Sequence, residues 1–239
     1  MTISIITPVY NSPELATQYA KAVRGAEVII VDNASEPSAA HEWDRTATAL
    51  EGRYIRNDTN KWYATACNQG YAVASGDIVM FCNNDIMARS DWLHLLGTID
   101  AGALYGPGIG MRTLAGQPLL YIDAWWIAAR KETWEAIKHS FWDGRYDIPG
   151  LPSHKVIGPW DGDAFQGMYW DDVDLCFRAA RLGIALRTLN LPLVHLSNYT
   201  SSRTPGAYAH TDSNGGDGAH RAICEARVKA WQGANNATV

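Results

Sequence analysis

SGDIVMFCNND, residues 75–85, runs from a polar turn into an unbroken apolar stretch and ends on two amides and a carboxylate. Apolar residues without polar alternation fit a strand covered on both faces, as in a parallel sheet. The same construction occurs twice upstream: an apolar run over residues 3–9 closes in Tyr10 and Asn11, and VIIV within residues 27–32 closes in VDNAS. Between them Ser12 offers a helix cap with Pro13 at the first helical position, and Leu15, Tyr19 and Val23 recur at helical spacing. Ala39, Trp43, Ala47 and Leu50 mark a second helix, residues 53–56 a short third strand, and residues 62–74 a third helix whose apolar stripe includes Ala66, Cys67, Gly70 and Tyr71. Strand and helix in alternation predict an α/β fold, with a central, mostly parallel sheet flanked by helices.

Past residue 85 the alternation loosens. The pattern predicts a helix over residues 90–96 capped by Ser90, a Gly-rich stretch at 106–110, a single strand over 119–129 and a short helix over 131–138. Residues 139–168 are rich in Gly, Pro, Asp and Trp and read as a long loop, which in a compact domain is more often functional than idle. A helix over 171–183 ends at Gly183; extended chain follows to His195, then a mobile stretch over 199–218 and a last helix over 219–231.

The composition narrows the functional classes. A net charge of -5 and a pI near 5.8 argue against a nucleic-acid partner, which calls for a basic patch. No run approaches the ~20 apolar residues of a membrane helix, so membrane association is expected to be peripheral at most. Cys67, Cys82, Cys176 and Cys224 are far apart in sequence and form no CxxC pair, and the N-terminus carries no basic leader; the expectation is a reduced, cytoplasmic setting. Ten Trp and eleven Tyr against four Phe supply amphipathic rings that stack on sugars and bases, although packing alone employs such rings too.

Polar side chains gather where the predicted strands end: Tyr10 and Asn11, Asp32 and Asn33, then Asn83, Asn84 and Asp85. Ligands bind at that edge of an open parallel sheet. Neither GxGxxG nor GxxxxGK[ST] is present to hold phosphate, which leaves a divalent cation, Mn²⁺ or Mg²⁺, as the phosphate device, with Asp85 its first ligand. The plain alternative for NND is an Asx-rich turn. WDDVDLCFR, residues 170–178, places Asp171, Asp172 and Asp174 at a helix start, where the dipole favours acids. Asp171 and Asp174 share a face, and Asp172 points elsewhere, available as a general base. His195 closes LPLVH, either as a structural residue or as an imidazole ligand supplementing oxygens around Mn²⁺.

Together these strings resemble glycosyltransferase family 2, the inverting GT-A enzymes, and within it a rhamnosyltransferase-like branch. ITPVYN at 6–11, VDNAS at 31–35, NKWYATACNQG at 60–70, SGDIVMFCNND at 75–85, WDDVDLCFRAARLG at 170–183 and LVHLS at 193–197 carry the resemblance over most of the chain. It implies a GT-A fold with a Rossmann-like central sheet, one domain with a donor-binding half over residues 1–98, an acceptor and catalytic half over 99–218, and a C-terminal helix and tail. It further implies that Pro8, Tyr10, Asn11, Asp32, Asn33, Asn60 and Asn68 serve the nucleotide, and that Asn83 and Asn84 line the diphosphate side. Asp85 and His195 would bind the cation, Asp172 would deprotonate the acceptor, and Asp171, Trp170 and Trp125 would stand near the acceptor. The implied donor is a nucleotide diphosphate sugar, with UDP ahead of dTDP and GDP, and the implied acceptor is a glycan hydroxyl.

Three positions depart from the family pattern: Trp62 stands where Gly is frequent, Asn83 replaces the first Asp of a strict DxD, and Asp171 replaces Glu before the base. The 139–168 loop, with Trp142, Trp160 and Trp170, is a candidate acceptor or lid region. Two other classes compete. A nucleotidyltransferase would carry a Gly-rich, Arg- or Lys-containing loop after the first strand, which TPVYNSPE lacks. A non-catalytic binding module would have no need of Asp85, Asp172 and His195 together.

Overall fold

In the computed structural model of the chain, residues 1–138, 158–167, 170–196 and 218–236 are described. Apolar runs form the middle of the sheet: β1 (Ile3–Val9), β2 (Glu27–Asp32) and β4 (Ile78–Cys82), the last with every residue buried. Around them lie β3 (Arg53–Arg56), β6 (Ala103–Gly106), β9 (Trp126–Arg130) and β10 (Ala185–Thr188). The order is β10-β6-β9-β4-β1-β2-β3, parallel throughout except for β9, which runs antiparallel to β4 and β6. This is the expected α/β architecture.

Strand alternation divides the core into two layers. Ile5, Val28, Ile30, Ile78 and Met80 face α1 (Ala16–Val23) and α2 (Pro37–Ala49), which bring Tyr19 and Trp43. Ile6, Ile29, Val31, Val79 and Phe81 face α3 (Trp62–Val73), α5 (Lys131–Lys138) and α6 (Asp171–Arg181), with Cys67, Tyr71, Trp134 and Cys176. At ~1.5–3 kcal/mol per large apolar side chain buried, these layers dominate the favourable side of folding. A third cluster joins Trp170, Val173 and Phe177 to Cys224 and Val228 of α7 (Gly218–Asn236). No described helix is long and apolar enough to cross a membrane.

The structure corrects four local expectations. Ser12 lies at φ 51 and makes no side-chain cap; a 3-10 turn, Pro13–Leu15, precedes α1. Helix α4 is the short Leu93–Leu96, preceded by Trp92 rather than capped by Ser90. The Gly-rich stretch is the start of a hairpin, β7 (Ile109–Leu114) with β8 (Gln117–Ile122). The strand expected over 119–129 is split into β8 and β9 by a turn at residues 123–125, where Trp125 N donates to Asp123 O. An unforeseen pair, β5 (Ile86–Ala88) and β11 (Leu193–His195), runs antiparallel beside the sheet.

Candidate active site

β1, β2, β3 and β4 end on one edge, and the ladder extends past them: Asn33 N donates to Val9 O at 2.9 Å and Asn57 N to Asp32 O at 2.8 Å. Asp32 is fully buried; Oδ1 accepts from Ser35 N at 2.8 Å, and Oδ2 from the Tyr54 hydroxyl at 2.5 Å and Arg56 at 2.8 Å. Burial first, then this carboxylate, pushes the Tyr54 pKa well above that of a free phenol, so the hydroxyl remains a donor. Asn11 lies at φ 53 and clamps β1 to the start of α2: its N donates to Ser35 Oγ, its Oδ1 accepts from Glu36 N and its O accepts from the Trp43 indole, each at 2.8 Å. Pro8 and Tyr10 are half-buried beside it.

The amides implied for the nucleotide are engaged in the same way. Asn33 Nδ2 donates to Trp62 O at 3.2 Å, and its Oδ1 accepts from Asn57 Nδ2 at 3.0 Å and Lys61 N at 3.3 Å. Asn60 Oδ1 accepts from Trp62 N at 2.8 Å, fixing the start of α3. Trp62 adopts φ 64, the left-handed region that glycine enters at no steric cost, so the backbone here would suit the Gly that the resemblance leads one to expect. Asn68 uses both ends of its amide on the Trp160 backbone, Nδ2 to O at 2.7 Å and Oδ1 from N at 3.1 Å. Asp32, Asn33 and Asn68 therefore frame this edge; in this structure their side chains meet protein groups rather than open space.

β11 returns the chain to the end of β4. His195 pairs with Ile86, one residue past Asp85, and its Nε2 lies 3.1 Å from Asp85 Oδ1 and 3.2 Å from Asn83 Nδ2. Asp85 and Asn84 are buried, and His195 is half-buried. The Trp125 ring stacks on the imidazole, centroids 4.9 Å apart and planes within 2°. Trp125 O also accepts from Asn83 N at 2.9 Å, so the residue 123–125 turn holds both neighbours of the Asp85 carboxylate. Asn83 Nδ2 and Asp85 Oδ1 both lie against Nε2, which carries either one lone pair or one proton: it accepts from Asn83 in one tautomer and donates to Asp85 in the other. A carboxylate oxygen 3.1 Å from an imidazole nitrogen is a pair of ligand types that fits Mn²⁺ or Mg²⁺. Among the described residues no group of three or more His, Cys, Asp or Glu side chains comes together to complete a protein-only metal cage.

The acids of α6 approach the same turn. Asp172 Oδ1 accepts from Val173 N at 2.8 Å, and the carboxylate also accepts from Ala124 N. Burial first, then the neighbouring Asp171 charge and Asp123, push the Asp172 pKa far above the carboxylate range. Burial raises Asp171 as well; its Oδ1 accepts from Asp172 N at 3.1 Å, and its charge is felt by Tyr63 and Cys67 of α3. Asp174 is paired with Arg178 at 2.9 Å and Arg227 at 2.7 Å. Asp172 is thus the acid of the three that reaches residues 123–125, whose Trp125 covers His195.

Two aromatics expected near the acceptor belong to the core: Trp160 is fully buried in the second layer, and Trp170 is 5% exposed, under Arg112 and α7. Trp142 and most of the 139–168 loop lie outside the described residues. Tyr54, Arg56, Asn57 and Asp123 were not singled out from sequence; for Asn57 a signal was present, since it follows β3 as Asn33 follows β2.

Residues 4–103 match the model of glycosyl transferase family 2. Pre-mycofactocin glycosyltransferase of Mycobacterium tuberculosis is 25% identical over 84% of this chain and 44% of its own length, so the chain spans less than half of the curated relatives it matches. Among solved structures, the mannosyltransferase PcManGT of Pyrobaculum calidifontis in complex with GDP-Man and Mn²⁺ is similar with a TM-score of 0.51 at 16% identity, over 78% of this chain and 54% of that one. TarS of S. aureus is similar with a TM-score of 0.53 at 14% identity, over 83% and 37%. At these identities the two structures establish a shared GT-A-like fold. The finer resemblance to a rhamnosyltransferase-like branch finds no support in these matches.

Proposed function

We propose that the chain is a family 2 glycosyltransferase, a reading supported by the match of residues 4–103 and by the fold, and that it moves a sugar from a nucleotide diphosphate donor to an acceptor hydroxyl with inversion. The observation that bears most weight is that one turn touches groups distant in sequence: Trp125 stacks on His195, which lies 3.1 Å from Asp85, and Ala124 donates to the Asp172 carboxylate. The donor-binding half is residues 1–98, framed by Asn11, Asp32, Asn33 and Asn60, with Pro8 and Tyr10 toward the base. The catalytic half is residues 99–218.

Asp85 and His195 would hold a divalent cation, with Asn83 and Asn84 beside it, and the bound ion would neutralise charge on the departing diphosphate. PcManGT, whose structure holds Mn²⁺ and GDP-Man, supports a metal and a sugar nucleotide as the ligands to test first. Asp172, ionised, accepts the proton of the attacking hydroxyl as the oxygen closes on the anomeric carbon from the side opposite the leaving group. Its raised pKa makes it a stronger base than an exposed carboxylate once the proton is lost.

Asp172→Asn tests the reading. Donor affinity by calorimetry is expected to persist while nucleoside diphosphate release falls by ~10² or more. Lost donor binding with unchanged turnover would remove Asp172 from the role of base.

A further inference from the structure

Four buried charged groups outside the site form a network to which none of these roles extends. Asp161, Asp174, Arg178 and Arg227 are each at most 2% exposed. Arg227 of α7 donates to Asp174 Oδ1 at 2.7 Å and to Asp161 Oδ2 at 2.6 Å. Arg178 donates to Asp174 Oδ2 at 2.9 Å and to Pro159 O at 2.6 Å. Apolar side chains of similar volume would join these segments without taking four charges out of water, so stability is a poor reason for the network. A guanidinium gripping two carboxylates supplies fixed geometry instead.

The two ends of the grip lead to the two halves of the site. Asp161 follows Trp160, whose backbone is held by Asn68 of α3, and the start of α3 is held in turn by Asn33 at the end of β2. Asp174 lies in the first turn of α6, two residues past Asp172. That turn has no side-chain cap, and Trp170 before it sits at φ 72. A second tie comes from α7, the Cys224 thiol at 3.7 Å from Trp170 O. We propose that Arg227 is a positioning residue, which by holding Asp161 and Asp174 together sets Asp172 at a fixed place relative to the donor-binding half. The inference rests on Asp172 being the base.

The test uses Asp161→Asn/Arg227→Met, which removes one buried charge of each sign and leaves the Asp174–Arg178 pair intact. Metal-dependent release of nucleoside diphosphate from UDP-GlcNAc or GDP-mannose gives kcat and KM, and ¹³C NMR follows the Asp172 carboxyl against pH. Expected are a kcat lower by about tenfold or more, a donor KM within about twofold, and an Asp172 midpoint displaced toward the ordinary aspartate value of about 3.9. Wild-type kcat together with an unmoved Asp172 titration would overturn the proposal. If the double variant does not fold, Arg227→Lys takes its place: it keeps the charge and loses the fork, the same fall in kcat is expected, and wild-type kcat overturns the proposal. Asp172→Asn is assayed alongside. Turnover lost there but intact in the Arg227 variants refutes the positioning role alone, whereas turnover retained by Asp172→Asn refutes the base assignment itself.

Discussion

At Asp172 the environment that would suit the proposed base also strains the fold. A carboxyl whose folded pKa lies above its unfolded value of about 3.9 binds its proton more tightly when folded; it favours the folded state at low pH, and that advantage is lost as pH climbs through the raised value. Asp172→Asn should therefore melt higher than the parent at pH 8 and at the same temperature at pH 4. Scanning calorimetry at the two pH values checks this, and equal melting points at both would mean that the carboxyl is not held in a costly state. The sign for catalysis is opposite, because the base works only when ionised. Turnover should rise with pH through a midpoint above the usual carboxylate range, and Asp172→Asn should lack that limb. At Asp85, substitution by Ala should abolish the enhancement of donor binding by Mn²⁺ while leaving metal-free binding within about twofold, read by titration calorimetry; undiminished enhancement would take Asp85 out of the ligand pair.

Elements show where sequence reading succeeds and why it stops. β1, β2, β3, β4 and α5 fall where apolar pattern and length put them, because each is specified by its own residues. β5, and the pairing of β11 with it, escape because a short strand is specified by a partner far along the chain, as Ile86 is by His195, whereas β7 escapes because glycines mask a local hairpin strand. Gly110 illustrates the point: it reads as a turn residue, yet it sits opposite Tyr121 in the β7–β8 hairpin, where a Cβ would meet the ring at 2.7 Å. The break at residues 123–125 was hidden by the apolar neighbours on either side, and it is this turn that joins Trp125 to His195. Arg227 did leave a trace, a charge between Cys224 and Val228 on the buried stripe of α7. Gly70 of α3 offers a test at this scale. An added Cβ would lie 2.3 Å from Ile6 Cγ2 in a closed layer, so overpacking of ~1–3 kcal/mol should outweigh the ~0.5–1 kcal/mol that Ala gains over Gly in a helix. Urea unfolding of Gly70→Ala should show a net loss; a gain would mean that α3 can move off β1.

Over the whole molecule, a two-layer core holds one sheet edge rigid, and the groups read from sequence as chemical fall into two kinds there. His195, 3.1 Å from Asp85, stacks on Trp125, and Asp172 accepts from Ala124 of the same turn, whereas Asp32, Asn33 and Asn68 are occupied in building the walls. Sequence cannot separate the kinds, since a buried amide that satisfies a backbone and one that faces a ligand are the same letter at the same strand end. The family model covers residues 4–103, and α6, β11 and α7, which carry Asp172, His195 and Arg227, lie beyond it. The central claim, that these two parts make one metal-dependent sugar-transfer site, is met most directly by measuring nucleoside diphosphate release from UDP-GlcNAc and GDP-mannose with Mn²⁺ present, before and after EDTA. Release from at least one donor that stops on chelation and returns with added Mn²⁺ is the predicted result; release indifferent to EDTA, or none from any nucleotide sugar, would contradict it.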